Sequence, residues 1–565
     1  MKLSISACVL WAFSFVAAQR VQQPLQQDTV SGKPVQVAII GAGAAGSSAA
    51  YHLSQYAHDA SIPINITIFE FNSYIGGRST TVTAYNLTTT ELDSLTSPHH
   101  YSTELGASIF VAVNHILVSA VKTFNLSTSD DDHDNPKGHL GQEVGIWDGN
   151  TFVLQLDTSL FNGYWTIAKL LFRYGLAPIR TYRLTKSVIS KFLKIYDSPI
   201  FPFESLTAAA QSVGLSAVTA ATGEQYLREN GISAAFAREV VQASTRVNYA
   251  QNLEYIHGLE AMVCMATEGG AMRVQGGNWR IFEEMVKASG ANVRLGERVG
   301  LVTETRDEKY RVSSQSVIDR DASEEQQRLQ EEKDDGTAFD HVVVASPWQY
   351  ADLDFGVFPE FRLPDKVPYV RLHVTLFTSP YLLDPEFFNL PKDQAVPQAI
   401  LTTLPDGEPA HTGPEGVGHS AFFAISLLRP LTHPKTGREE YLYKIFSPKR
   451  ISDEYLAEIL HTEDNTDNDS TEAPLGSKET VTWIYRKIWN SYPYETPRVA
   501  FEHAQLRRNV WYTGGMDNFI STMETNALMG KNVAKLIVDA ERKQEQENRK
   551  RMQESDGVTA RKEDL

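Results

Sequence analysis

Residues 35–53 read VQVAIIGAGAAGSSAAYHL, and residues 64–78 read INITIFEFNSYIGGR. Val35 to Ile40 is a short β-branched, apolar run, which predicts a buried strand. Gly41, Gly43 and Gly46 follow at G-x-G-x-x-G spacing, and Ser47 to Leu53 predicts a helix. Three glycines at this spacing allow a tight turn, close approach of backbone to a pyrophosphate, and close helix–strand packing. The helix start, with Ala42, Ala44 and Ala45 between the glycines, offers free N–H groups and a partial positive charge to phosphate. The second strand, Ile64 to Phe69, delivers Glu70, a carboxylate placed to accept from ribose hydroxyls. The gap from Gly41 to Glu70 exceeds the usual ~20 residues, which predicts a loop over 55–63.

Two other segments repeat this logic. Asn292 to Val299 predicts a strand offering the backbone of Val299. Asn509 to Tyr512 predicts a strand ending at Thr513-Gly514-Gly515, after which Ser521-Thr522-Met523-Glu524 opens a helix through Ala540. A strand, glycines and a helix start again present N–H groups to an anion. The run Glu70-Phe71-Asn72-Ser73-Tyr74-Ile75-Gly76-Gly77-Arg78 resembles that of FAD-binding, amine-oxidase-type flavoproteins. That resemblance implies FAD as cofactor, with Val299 beside the adenine and Gly514, Gly515 and Met523 near the pyrophosphate and flavin edge. No second G-x-G-x-x-G occurs to hold a nicotinamide, which favours an oxidase over a reductase or monooxygenase.

The 565 residues carry 69 Asp and Glu against 52 Lys and Arg, a formal net charge of −17. So acidic a chain argues against nucleic acid and against anionic lipid as partners. Met1 to Ala18 has the pattern of a secretory signal peptide: Lys2, an apolar stretch and Val16-Ala17-Ala18. No later stretch predicts a transmembrane span. Beyond Cys8 only Cys264 remains, so the mature chain forms no internal disulfide, and C-x-x-C redox and Cys-based zinc sites are excluded. No metal site is expected. Sequons stand at Asn65, Asn86, Asn125 and Asn468. Glycosylation in loops is expected at the last three, whereas Asn65 opens a strand. The terminal Lys-Glu-Asp-Leu has the wrong acidic order for an ER-retention signal.

Polar stretches at 127–136, 319–336 and 461–477 predict surface loops, the first too irregular in spacing for an EF-hand. Strands are expected at Val293–Arg298, Tyr310–Val317 and Phe339–Ala345. Residues 160–260 predict helices, with Val188–Tyr196 amphipathic. Residues 367–450 alternate apolar and polar, predicting antiparallel sheet with one face buried. The expected architecture is α/β: an FAD-binding Rossmann-type domain interleaved with a mixed α+β substrate domain. The first comprises residues 33–110, 270–350 and 506–540, and the second 140–265 and 365–500. The charged segment 541–565 is expected to continue a helix and fray.

Arg173-Tyr174-Gly175-Leu176, Arg246-Val247-Asn248-Tyr249-Ala250-Gln251, Ile256-His257-Gly258-Leu259 and Ala271 to Asn278 occur in this order. They are followed by Tyr492-Pro493-Tyr494 and Glu524 to Asn532. Together they resemble the prenylcysteine oxidase (prenylcysteine lyase) family over nearly all of the mature chain. The resemblance implies oxidation of a farnesyl- or geranylgeranyl-cysteine thioether, released in prenylated-protein degradation. Hydride leaves the prenyl C1 for the flavin, water adds to the resulting cation, and the hemithioacetal collapses to cysteine and a prenyl aldehyde. O₂ is reduced to H₂O₂. It also implies an apolar tunnel, for which Phe161, Tyr164, Trp165, Leu171, Phe172 and Tyr174 are lining candidates or, equally, ordinary core. No catalytic base is fixed. His257, Tyr249 and Arg246 are candidates, Arg246 either for the cysteine carboxylate or as a structural ion-pair partner. Cys264 reads as a small buried apolar residue. A vacuolar or lysosomal location is expected, or an extracellular one, with no stable protein partner. The alternatives are another amine-oxidase-type flavoenzyme (an amine oxidase or a desaturase) and a non-catalytic secreted flavoprotein.

Overall fold

The computed structural model describes residues 33–95, 97–130, 143–157, 163–266, 270–317, 336–356, 362–460 and 480–563, without the side chains of 129–130, 157, 163–168, 552 and 554–563. The leader segment, Asn468 and the three polar stretches, the first in its second half, fall outside these residues.

Strand β1 (Val35–Ile40), helix α1 (Ala44–Asp59) and strand β2 (Ile64–Glu70) form as the sequence dictates. The helix reaches Asp59, so the loop expected over 55–63 shrinks to residues 60–63. β1 and β2 pair in parallel, Val37 opposite Ile66 and Ile39 opposite Ile68. They lie inside a six-stranded sheet ordered 505–507, 510–512, 341–344, β1, β2, 292–295, parallel except at the 505–507 edge. Val37, Ala38 and Ile39 are fully buried, as in a parallel sheet covered on both faces.

Two expected strands are each divided. Asn292–Leu295 pairs with β2, but Gly296 takes a left-handed φ of +67° and Glu297–Glu304 leaves for a separate antiparallel sheet with Tyr310–Ser316 and Ala338–Phe339. At Asp340 the chain crosses back, and His341–Val344 rejoins the six-stranded sheet.

A seven-stranded sheet runs in the order 483–493, 369–379, 439–447, 424–432, 399–402, 143–147, 152–157. Its second strand, Tyr369–Ser379, is central, so one-face burial holds only at its start; from Val374 to Ser379 both faces are buried. Residues 163–264 are mainly helical. The final helix, Met523–Glu563, continues well past Ala540. It crosses α1 at Gly530, where a Cβ would stand 2.1 Å from Ala45 O. Glu524, near its start, accepts from the Ile116 and Leu117 N–H groups, capping the helix His115–Thr123.

Candidate active site

One large cavity, about 1460 Å³, separates the six-stranded and seven-stranded sheets. Gly41, Gly43, Ala44, Ala45, Glu70, Gly77, Arg78, Val299 and Met523, all cofactor-binding candidates from the sequence, line it. Ala42 and Gly46 lie just behind. A Cβ on Gly46 would meet Gly41 O at 1.9 Å, so this glycine closes the helix onto the turn. Gly41 holds φ +107° and a Cβ there would press on Ala345 O at 2.9 Å. Gly43 and Gly77 face each other, with a Cβ on Gly77 3.2 Å from Gly43 Cα. The start of α1 carries no side-chain cap and no acidic residue in its first turn, so its first N–H groups remain available.

Glu70 accepts from Ala42 N–H at 2.6 Å through one oxygen, and from the backbone and side chain of Asn72 through the other. The carboxylate therefore ties the glycine turn to the end of β2. Arg78 donates to Ser491 O and to Asp517 Oδ2, both at 2.7 Å. Asp517, almost fully buried, also accepts from Tyr369, Asn526 and Ser521. This aspartate knots the Gly-Gly-Arg turn to the start of the final helix.

Gly514 and Gly515 do not line the cavity. They form a buried turn packed on Tyr512 and Glu502, and the surface is supplied further along by Ser521, Thr522, Met523 and Asn526. Sequence reasoning favoured the glycines and missed Asp517, two residues past Gly515; its acidic character in an apolar run was the available signal.

The opposite wall comes from the seven-stranded sheet, including Arg429, Lys444, Lys487 and Trp489. The cavity lining holds six Lys or Arg and three Glu, the reverse of the chain's overall charge. Glu104, at the end of the short strand Ser102–Glu104, accepts from Asn278 N–H at 2.6 Å, and burial pushes its carboxyl up to about 8.

Tyr249 stands where the cavity meets a smaller annex of about 160 Å³. Ile109, Asn248, Thr522 and Met523 are shared by both spaces, and the annex is walled by Phe110, Leu117, Ile189, Phe192 and Val263 among others. The Tyr249 hydroxyl donates to Ser521 O at 3.1 Å, its ring meets Tyr492 edge-on at 5.2 Å, and burial raises its pKa.

The other two base candidates are elsewhere. Arg246 is fully buried and donates to Thr402, Asn252, Gly416 O, Val417 O and Ser420. Its fork is occupied, which corrects both the carboxylate-binding and the ion-pair reading. Burial lowers its pKa to about 9. His257 is also fully buried and lines neither space; its Nδ1 accepts from Glu260 N–H, capping the helix Gly258–Cys264. Burial lowers it to about 3. With Glu260 and Glu495 it forms a cluster whose ligand atoms lie within 4.8 Å of one another. Burial raises both carboxyls above the usual carboxylate range. Cys264 is buried and borders the annex.

The tunnel candidates fare differently. Leu171 is half-buried, Phe172 is 95% exposed, and Tyr174 is buried with its hydroxyl on Glu239 at 2.6 Å. None lines either space; the side chains of Phe161, Tyr164 and Trp165 lie outside the described residues. The apolar wall comes instead from the next helix, Ala177–Leu193, through Ile189, Phe192 and Leu193. Asn65, Asn86 and Asn125 are all exposed, Asn65 at a β2 position expected to be less accessible.

The fold and cavity define a dinucleotide-binding protein of the Rossmann type, with a sheet-built wall facing the nucleotide turn. Residues 39–121 match a model of NAD(P)-binding Rossmann-like domains. Residues 158–550 match the prenylcysteine lyase model, and the chain belongs to that family. It is 28% identical over 546 residues to farnesylcysteine lyase of Arabidopsis thaliana, covering 93% of each chain. It is 25% identical over 521 residues to prenylcysteine oxidase 1 of Mus musculus, covering 89% of this chain and 88% of that one. Among solved structures, a putrescine oxidase double mutant aligns with 90% of this chain and 100% of its own at 13% identity and a TM-score of 0.49.

Proposed function

We propose that the protein is an FAD-dependent oxidase that cleaves prenyl-L-cysteine, with O₂ and water, to cysteine, a prenyl aldehyde and H₂O₂. The observation that carries this reading is the apolar annex opening off the nucleotide cavity at Tyr249 and Met523. A dinucleotide needs the first space; a long hydrocarbon needs the second.

The residues present fit FAD. The uncapped start of α1, the close approach of Gly43 and Gly77, and the basic lining suit a pyrophosphate. Glu70 suits ribose hydroxyls once its bond to Ala42 N–H is shared. Val299 suits the adenine side, and Met523 the flavin side. When bound, FAD supplies the two-electron acceptor for the thioether carbon.

The chain's own groups hold the substrate. Ile189, Phe192 and Val263 exclude water from the prenyl chain, and Tyr249 and Tyr492 set the boundary between chain and head group. Burial keeps the Tyr249 proton on its oxygen, so this hydroxyl acts as a donor rather than a base. The basic side chains of the sheet wall suit the amino-acid carboxylate.

The segments bearing the nucleotide turn and those bearing the seven-stranded sheet correspond to cofactor and substrate domains. Entry to the secretory pathway, with glycans on exposed Asn86 and Asn125 and residence in a vacuole or lysosome, fits a scavenger of degraded prenylated proteins.

Anaerobic titration of the purified protein with farnesylcysteine tests the reading. Bleaching of the flavin absorbance, with recovery and peroxide on admitting air, is expected. A yellow protein that stays oxidised with farnesylcysteine yet bleaches with amines would overturn the substrate.

A further inference from the structure

The net charge of the chain argues against an anionic lipid surface as partner, but the charge is not evenly spread. Between Lys169 and Lys194 stand seven Lys or Arg and no Asp or Glu. This segment folds as the end of the helix Gly163–Tyr174, a turn at Gly175-Leu176, and the helix Ala177–Leu193. Among the described residues, its outer side also carries the densest run of exposed large apolar groups. Phe172 is 95% exposed, Leu176 59%, Tyr182 43% and Ile179 38%. Single exposed apolar residues are ordinary; four within eleven positions, flanked by cations, are not.

Two of the cations flank these apolar groups on the outer face. Arg183 and Lys186 are exposed on the same helical face as Ile179 and Tyr182, with Lys186 Nζ 6.0 Å above the Tyr182 ring. Arg173 pairs with the buried Glu239, and Arg180 donates to Gly231 O. Apolar side chains projecting between basic ones form the pattern of a helix lying in a bilayer interface. Among the described residues no helix is long and apolar enough to cross a membrane, so contact would be superficial.

From these observations we propose that the turn between the two helices, with Phe172, Leu176, Ile179 and Tyr182 as apolar anchors and Arg183 and Lys186 as cationic flanks, docks on anionic lipid bilayers. The same helix joins this patch to the annex. Ile189 lines the apolar space two turns beyond Tyr182, about 10 Å along the axis at ~1.5 Å per residue. This link to substrate uptake rests on the prenylcysteine reading, since a prenylated amino acid partitions into bilayers. The docking surface itself does not.

The test is co-sedimentation of the flavin-loaded protein with vesicles of phosphatidylcholine alone or with phosphatidylserine. Wild type is compared with Phe172→Ser/Leu176→Ser and Arg183→Glu/Lys186→Glu. Binding is expected to need phosphatidylserine and to weaken with salt. It should fall at least tenfold in the charge variant, given about 1 kcal/mol per basic residue at an anionic surface, and fall also in the apolar variant. Flavin content and turnover of farnesylcysteine without vesicles should stay unchanged in both variants. Absence of vesicle binding by wild type, or binding that neither variant alters, would overturn the proposal, as would a protein partner captured by the patch that excludes vesicles. Vesicle binding by a protein whose flavin farnesylcysteine does not bleach would keep the docking surface and sink only the substrate.

Discussion

Replacing Glu104 by Gln should flatten part of the pH dependence of stability. Glu104 is 8% exposed; one oxygen accepts from Asn278 N–H and the other has no hydrogen-bond partner. Burial raises its pKa from the ordinary 4.5 to about 8, against the lowering effects of Asn278, Lys444 and Arg273. A folded-state pKa above the unfolded value means that the native state holds the proton more tightly. The stability this contributes is complete below pH 4.5 and is lost as pH rises toward 8. Between pH 5 and pH 7 the loss amounts to about 2–3 kcal/mol, or roughly 30- to 160-fold in the unfolding constant. Gln preserves the acceptor for Asn278 but cannot ionise. His52 and His257, lowered by burial to about 4 and about 3, contribute in the opposite direction: their stability is lost as pH falls below 6.5. The wild-type profile is therefore composite, and the difference between the two proteins isolates Glu104. Urea denaturation of both at pH 5 and pH 7 measures it. Equal changes in unfolding free energy for wild type and Glu104→Gln would refute the argument.

Two further substitutions probe the frame of the site. Gly530→Ala places a methyl group against Ala45 O and Ala49 N, and should cost about 1–3 kcal/mol while lowering retained flavin, measured by absorbance after desalting, because Ala44 and Ala45 wall the cavity. Arg246→Met removes five hydrogen bonds from a fully buried cation and orphans Asn252 Oδ1. It should destabilise by about 3–5 kcal/mol, with KM for farnesylcysteine within twofold in the protein that folds. A tenfold rise in KM at unchanged stability would instead give Arg246 a role in binding the carboxylate.

The nucleotide half of the site was legible because its requirements are local. A glycine turn, the helix it opens and an acid at the next strand end occupy 36 consecutive positions, from Val35 to Glu70, and backbone sterics alone restrict what fits there. Val299 and Met523 were legible for the same reason, each beside a recognisable element end. The substrate half was not. Its wall is assembled from strands far apart in sequence, such as 369–379 beside 483–493, so no single window carries its pattern. Phe172 looks like core by composition and is solvent-facing, whereas Ile189 and Phe192, in an ordinary amphipathic stretch, line the annex. Arg246 and His257 drew attention as polar residues in a conspicuous segment; burial turned one into a strut for carbonyls and the other into a helix cap. Gly296 and Asp340 broke two strands that apolar content alone would have kept whole.

The six-stranded sheet sets a condition on how this molecule can be made. Its central strands come from the start of the chain, but the strand Val510–Tyr512 and the helix crossing α1 at Gly530 come from near the end. At synthesis rates of about 5–20 residues per second, tens of seconds separate emergence of the glycine turn from arrival of the segment that covers it. During that interval the nascent chain displays the apolar flank of α1 and, once it is made, a row of unsatisfied strand groups along 341–344. The nucleotide cavity is therefore a post-translational product, and the cofactor can be captured only by a chain that has survived that exposure. Chaperone dependence and flavin supply during folding should limit yield more than the stability of the finished protein does.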